Sequence, residues 1–300
     1  MEEFRCANDI TCIVGNTPLL RIGKIYAKLE TTNPTGSVKD RMVCYMLAKA
    51  EQRGDLRKGS HIIEVTSGNT GIALAMASAV RGYRFTAIMP ANMSAERIQM
   101  MKAFGAEVVL TPAKDDIPGA MDKYEQMMKK YPKAWFPRQF ENPDNVEAHI
   151  LGLGKEIVDH FNGNVDAFVA GTGTGGTLVG VGRALRKSNP DAKIFAVEPA
   201  ESAVIRGEAP GAHKIQGIGE GFIPKIIQDN MSIIDGILKI SSRDAISMTR
   251  SLAKKHGVLA GISSGANVAA ALRLAKKYGT VVTLLPDRGE RYLSTEVWKK

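Results

Sequence analysis

The sequence predicts an α/β protein whose parallel sheet is covered by helices on both faces. Two observations carry this: apolar strand-like runs alternate with helical patterns nearly end to end, and each run is continuously apolar. HIIEVT (61–66) precedes the helical GIALAMASAVRG, RFTAIMP (84–90) precedes SAERIQMMKAFG, and AEVVLTP (106–112) precedes PGAMDKYEQMMKKYP. VDAFVAG (165–171) leads into a helix through ALRKSNP, and KIFAVEP (193–199), GILKIS (236–241) and TVVTLLP (280–286) are three further strands. The alternation breaks at FPRQFENPDN (136–145), whose two prolines and two asparagines mark the expected joint between domains. A second break, SAVIRGEAPGAHKIQGIGEGFIPK (202–225), is too rich in Gly and Pro for a strand or helix; loops this long in compact enzymes are commonly functional.

A chain of 300 residues holds one large α/β unit or two domains sharing a cleft. Its 44% hydrophobic and 24% charged residues are ordinary for a soluble globular protein. No run reaches the roughly 18 uncharged apolar residues of a membrane span. The acidic start MEEFRCANDI lacks the basic-then-apolar layout of a secretory leader. Cys6, Cys12 and Cys44 have no metal-ligand spacing, which predicts a cytoplasmic protein without zinc. The net charge of +9 is spread among acids and never interleaved with aromatics, which argues against nucleic acid and predicts some pull on small anions.

NPTGSVKDRM (33–42) sets Lys39 in the first turn of a helix. Asn33, Pro34 and Gly36 are turn residues, Ser37 is the expected N-cap, and Val38, Met42, Tyr45 and Met46 form the apolar stripe. A protonated amine is disfavoured at the positive end of a helix dipole; a neutral amine is not. A solvated surface lysine fits this stretch equally well, so the rest of the chain has to decide.

Three strand ends carry small polar residues where an open parallel sheet binds its ligands: TSGNTG (66–71), GTGTGGT (171–177) and GISSGA (261–266). GTGTGGT gathers backbone N–H groups at a helix start, a cradle for phosphate. Gly171, Gly173 and Gly176 also satisfy GxGxxG, and Glu198 ends the next strand, so an NAD-dependent oxidoreductase competes on this motif. A ligand-free glycine turn is the third reading. TSGNTG offers more side-chain hydrogen-bonding groups than helix capping needs and suits the carboxylate of a small zwitterion. Ser263, taken alone, is a helix cap more often than a ligand. Two cradles and an amine made nucleophilic by position describe a lysine that condenses with a phosphate-bearing aldehyde, the chemistry of pyridoxal 5'-phosphate.

With GNTP (15–18), NPTGSVKDR (33–41), TSGNTGIALA (66–75), QFENP (139–143), GTGGT (173–177), HKIQGIG (213–219), GISSG (261–265) and GERYLST (289–295) in this order, the chain resembles the cysteine synthases. These are the O-acetylserine sulfhydrylases among fold type II pyridoxal enzymes. The resemblance implies two three-layer α/β domains with mostly parallel twisted sheets, as in the β subunit of tryptophan synthase, and the cofactor in the cleft between them. Residues 33–145 would be a smaller mobile domain with the carboxylate loop; residues 9–32 plus 146–300 would be a larger one with the phosphate loop. It also implies that Lys39 is the catalytic residue, joined to the cofactor at rest and acting later as base. Asn69 would bond the ring hydroxyl, Gly173, Thr174, Gly175, Gly176 and Thr177 the phosphate, and Ser263 the pyridine nitrogen. Thr66, Ser67, Gly68 and Thr70, with Gln139, would hold the substrate carboxylate, and Gly219 and Glu220 would also bind substrate.

The implied reaction is β-replacement, making L-cysteine from O-acetyl-L-serine and sulfide through an aminoacrylate, in a homodimer that can also bind serine acetyltransferase. A serine at the pyridine nitrogen cannot hold a full charge there, so the ring would be a moderate electron sink suited to elimination of a good leaving group. One departure stands out. In GIGEG (217–221), Glu220 replaces a residue that is usually small in the sulfhydrylases. The alternative is therefore a cystathionine- or lanthionine-type β-synthase, or a sulfide-releasing enzyme, using serine, O-phosphoserine or cysteine. A Glu220 paired in solvent with Lys214 or Lys225 would carry no such meaning.

Overall fold

The computed structural model describes residues 7–66 and 68–298. Among them are nine strands: β1 (Leu19–Ile22), β2 (Ile25–Leu29), β3 (His61–Val65), β4 (Arg84–Pro90), β5 (Glu107–Thr111), β6 (Ala167–Gly171), β7 (Lys193–Pro199), β8 (Gly236–Ile240) and β9 (Val281–Leu285). They build two sheets, one of six strands in the order β1-β2-β9-β6-β7-β8 and one of three in the order β3-β4-β5. Every pairing is parallel except β1 with β2. All seven strands expected from the sequence are present within two residues. The β1–β2 hairpin was not expected, because its runs are short and interrupted by Arg21 and Lys28. Its signal was the Gly23-Lys24 turn, with Gly23 at φ 60.

The described helices are α1 (Lys39–Arg53), α2 (Asn69–Arg81), α3 (Ala95–Ala103), α4 (Asp116–Lys130), α5 (Pro143–His149), α6 (Lys155–Phe161), α7 (Gly176–Ser188), α8 (Lys225–Gln228), α9 (Ser242–His256) and α10 (Ile262–Leu274). The three-stranded sheet is enclosed by apolar side chains of α1, α2 and α3 on one side, around Met42, Leu47 and Ile72, and of α4 on the other, around Ala120 and Tyr124. On the six-stranded sheet, α9 and α10 cover one face and α6 and α7 the other. Three-layer packing follows from strands that are apolar on both sides. The expected joint at 136–145 is partly helical, because Pro143 starts α5 at the position where a missing N–H costs nothing. Residues 202–224 carry no helix or strand, as their composition predicts.

The start of α1 corrects one expectation. Ser37 is not the N-cap: Val38 holds that position without a side-chain bond, while Ser37 bridges to Asp287 and its buried hydroxyl has no partner among the described residues. The turn is fixed instead by Asp40, which accepts Thr35 N–H at 2.7 Å and the Thr35 hydroxyl. Arg41 completes the anchor, donating to Glu30 at 2.6 and 2.9 Å and to Glu156 at 2.6 and 2.9 Å. Burial opposes ionisation of Glu156, but Arg41 and Lys28 together pull it down to about 2.

Candidate functional site

The carboxyl ends of β3, β6 and β9 open on one cavity, lined among others by Thr66, Gly171 and Pro286. Lys39, Asn69, Thr70, Gln139, Thr174 and Ser263, widely separated in sequence, all line it. The two clamps on Asp40 and Arg41 fix the helix start that carries Lys39. Its amine makes no hydrogen bond or ion pair among the described residues, and the half-buried side chain lines the cavity. Protein nevertheless surrounds it closely enough that burial lowers its pKa to about 8, against the opposing charges of Glu220 and Asp287.

GTGTGGT bends out of β6 into α7 through Gly175, at φ 88, which serves as N-cap. Gly173 faces the carbonyl of Gly217, so a Cβ there would stand 2.5 Å from that oxygen. A Cβ on Gly176 would overlap the Asn145 side chain. Asn145 Nδ2 donates to Thr174 Oγ1 at 3.0 Å, and His149 Nε2 meets Thr177 Oγ1 at 3.1 Å. His149 is fully buried, and burial, with Lys39 and Arg41 nearby, holds its pKa well below the usual value. Ser263, in the first turn of α10, lines the cavity with a hydroxyl that has no partner among the described residues.

The second loop is tied to itself. Thr66 Oγ1 accepts the N–H groups of Gly68 at 2.9 Å and Gly71 at 3.1 Å. Thr70 Oγ1 donates to Gln139 Oε1 at 2.7 Å, and Gln139 Nε2 donates to Val65 O at 2.9 Å. Asn69 Nδ2 donates to Asp287 Oδ2 at 2.8 Å and Asn69 Oδ1 accepts from Arg291, which leaves one amide proton for a ligand. Gly68, at φ 146, lets Arg97 pass beneath it. Arg97 donates to Tyr292 at 2.9 Å and Gln216 at 2.6 Å, joining α3 to the segments that follow β9 and β7. Ser67 lies outside the described residues.

Gly68, Gly176 and Gly219 pack behind the cavity wall; Gly219 is hydrogen-bonded to Thr172 O and His213. Glu220 lines the cavity, while Lys214 pairs with Glu296 and Lys225 with Asp229. Glu198, needed by the dinucleotide reading, is fully buried and holds the N–H groups of Ile205 at 2.8 Å and Arg206 at 3.1 Å. It is not available to a ribose. Sequence reasoning missed Arg97, which lay in a stretch read as an ordinary helix, and Asn145 and His149, which lay in the expected joint and just beyond it.

The site fits a phosphate-bearing aldehyde. An amine and a serine hydroxyl that make no hydrogen bond among the described residues, and a glycine cradle that rejects a Cβ, surround one space, with Thr174 and Thr177 oriented by Asn145 and His149. Among the described residues no cluster of His, Cys, Asp and Glu suits a metal, and no helix is long and apolar enough to cross a membrane. The pyridoxal-phosphate dependent enzyme family matches residues 10–287. A cysteine synthase of Staphylococcus aureus is 47% identical, with 97% of each chain covered. Among solved structures, the cysteine synthase of Entamoeba histolytica superposes with a TM-score of 0.95 at 42% identity, covering 100% of this chain and 93% of that one. An O-acetylserine dependent cystathionine β-synthase of Helicobacter pylori gives 0.93 at 39%, covering 98% and 99%. On a match of this length and identity, carried by a site that suits the cofactor, the chain belongs to the pyridoxal-phosphate dependent enzymes of fold type II.

Proposed function

We propose that this enzyme forms L-cysteine from O-acetyl-L-serine and sulfide by β-replacement. The observation that carries the reading is the Lys39 amine, without a hydrogen bond among the described residues and at about pKa 8, in one cavity with both cradles. At pH 7 about one such amine in ten is neutral, against fewer than about one in a thousand at the ordinary lysine value. Bound, the cofactor would supply an electron sink for the charge that develops at the substrate's Cα. Thr174, Thr177 and the backbone N–H groups from Gly173 to Thr177 would hold its phosphate, Asn69 its ring hydroxyl and Ser263 its pyridine nitrogen. A hydroxyl there shares a hydrogen bond without fixing a full charge, which favours elimination over deeper carbanion chemistry. Thr66, Ser67, Gly68 and Thr70, with Gln139, would receive the amino-acid carboxylate. Lys39 Nζ then takes the α-proton, acetate departs from Cβ, hydrosulfide adds there, and Lys39 returns the proton.

Residues 33–145 are read as a smaller body that closes on the carboxylate, with 9–32 plus 146–300 as the larger one. Closure of that kind requires Arg97 and Asn69 to shift against Tyr292, Gln216, Asp287 and Arg291. A cytoplasmic homodimer, and serine acetyltransferase as a further partner, complete the reading by analogy with the family. The decisive measurement is cysteine formation from O-acetyl-L-serine and sulfide, followed with the cofactor's absorption. No spectral change on adding O-acetyl-L-serine would reject the first substrate.

A second reading rests on Glu220. Its carboxylate lines the cavity and bears on Lys39, where it would repel hydrosulfide and attract the ammonium of an amino-acid thiol. A β-synthase joining an activated serine to such a thiol is the product of that preference.

A further inference from the structure

β3 is an edge of the three-stranded sheet, and the chain from Trp135 runs along it. Trp135 N–H donates to His61 O at 2.8 Å, and Trp135 O accepts Ile63 N–H at 3.0 Å. The pairing stops there. Pro137 and Arg138, the latter at φ 53, turn the chain away before it can pair with Val65. Two side chains close the gap. Glu64 Oε1 accepts Val65 N–H at 2.9 Å, and Gln139 Nε2 donates to Val65 O at 2.9 Å. The other Glu64 oxygen accepts Gln139 N–H at 3.4 Å, and Arg138 N–H also bonds this carboxyl group. Successive N–H groups around a left-handed residue form a concavity that binds anions; here the anion comes from the chain itself.

Glu64 is fully buried and has no salt bridge among the described residues. A carboxylate is costly in such a place unless local donors need it. The charged and titratable groups facing it are the Arg138 guanidinium and the Tyr124 hydroxyl of α4, itself without a partner, while β4 presents Ala87 alongside.

We propose that Glu64 is a positioning residue: its buried carboxylate seats the turn at Arg138 and Gln139 and so aims the Gln139 amide at Thr70 in the amino-acid loop. The inference rests on the reading of that loop as the carboxylate site. Burial raises Glu64 to about 8, so charged and neutral forms exchange in the working range. The charged form accepts all three N–H groups; the neutral form turns one oxygen into a donor and loosens its hold as pH falls.

The test compares the holoproteins of the parent, Glu64→Gln and Gln139→Ala. The dissociation constant of L-alanine, which has no β leaving group, is read from the cofactor's absorption between about pH 6.5 and pH 9. The glutamine variant imitates the neutral carboxyl, so its affinity should match the parent at low pH. By about pH 9 it should be roughly 2- to 12-fold weaker, the worth of one ordinary hydrogen bond. Cofactor content and kcat should be unchanged and KM raised. A ratio that is flat with pH, or a joint fall of kcat and cofactor content, overturns the proposal. Gln139→Ala separates the two ideas. If it weakens L-alanine and Glu64→Gln does not at any pH, only the role of Glu64 fails; if Gln139→Ala has no effect, the loop assignment fails and takes this inference with it. Should the glutamine variant not fold, Glu64→Asp withdraws the charge by one methylene. Unchanged L-alanine affinity in that variant at high pH overturns the proposal equally.

Discussion

The loops after β6 and β3 hold their donors to different degrees. At 171–177 the backbone is fixed by glycines that tolerate no Cβ, and Thr174 and Thr177 are already oriented by Asn145 and His149. At 66–71 the donors are engaged internally, Gly68 and Gly71 with Thr66, and Thr70 with Gln139. The first loop is shaped for a resident group, and the bond it makes within itself, Gly176 N–H to Thr174 Oγ1 at 3.4 Å, is long and readily exchanged when that group binds. The second exchanges its own hydrogen bonds for those of a ligand, so each binding event gains only the difference between a neutral internal bond and one to a charged carboxylate. A resident cofactor suits the former and a substrate that must leave suits the latter.

Removing the amine between the loops should have the largest effect. Lys39→Ala should lower turnover by at least the 10²–10⁴-fold that a general base typically supplies, while phosphate contacts still hold some cofactor. Retained activity would return Lys39 to an ordinary exposed lysine. The same amine predicts a pH dependence in the apo-protein. Its pKa of about 8 lies below the unfolded 10.5, so the neutral nucleophile grows as pH rises through 8. The rate of covalent cofactor capture should rise across that window; a rise centred near 10.5 would show that burial does not tune it.

Striking the rigid loop should cost cofactor. Gly173→Ala puts a methyl group 2.5 Å from the Gly217 carbonyl, which has backbone on both sides and little room to retreat. Overpacking of this kind costs about 1–3 kcal/mol, visible as a lower Tm and faster cofactor loss on dialysis. Striking the other loop should leave cofactor in place. Thr70→Ala should weaken amino-acid binding on the order of 1.5–3 kcal/mol by removing a hydrogen bond to a charged group. Cofactor loss with unchanged amino-acid affinity would mean that the two loops have exchanged roles.

The rigid loop was also the more legible one. Glycine spacing states a backbone requirement directly, so GTGTGGT could be placed at a strand end and helix start from sequence. Seven strands were equally readable as apolar runs; burial on both faces accounts for the central ones, while the edge strands β5 and β8 are only partly buried. The β1–β2 hairpin was hidden because Lys28 is buried among polar partners, Thr17 O at 2.5 Å and Glu156 at 2.7 Å, and so looks like surface. Asn145, His149 and Arg97 were hidden for a related reason. Their roles come from which helices cross, and nothing local to a polar residue in a helix tells whether its neighbour is solvent or a threonine of a distant loop.

The smallest expected effect tests whether the shared wall of the two loops discriminates between nucleophiles. Glu220 reaches the cavity from the long segment after β7, and the lysines that would have drawn it to the surface have other partners. A carboxylate a few ångströms from an incoming anion, at an effective dielectric near 20, is worth a few kcal/mol before screening. Water and salt in an open cleft reduce this further, so a change of several-fold is expected. Glu220→Ala should raise the rate with sulfide relative to that with cysteine or homocysteine, with O-acetyl-L-serine held constant as first substrate. The variant should also shift the Lys39 titration downward, because Glu220 supports the ammonium form. If the thiol preference is unchanged while the Lys39 titration moves, the carboxylate is electrostatically present but faces away from the nucleophile's path. Sulfide is then the natural second substrate, and Glu220 tunes only the base.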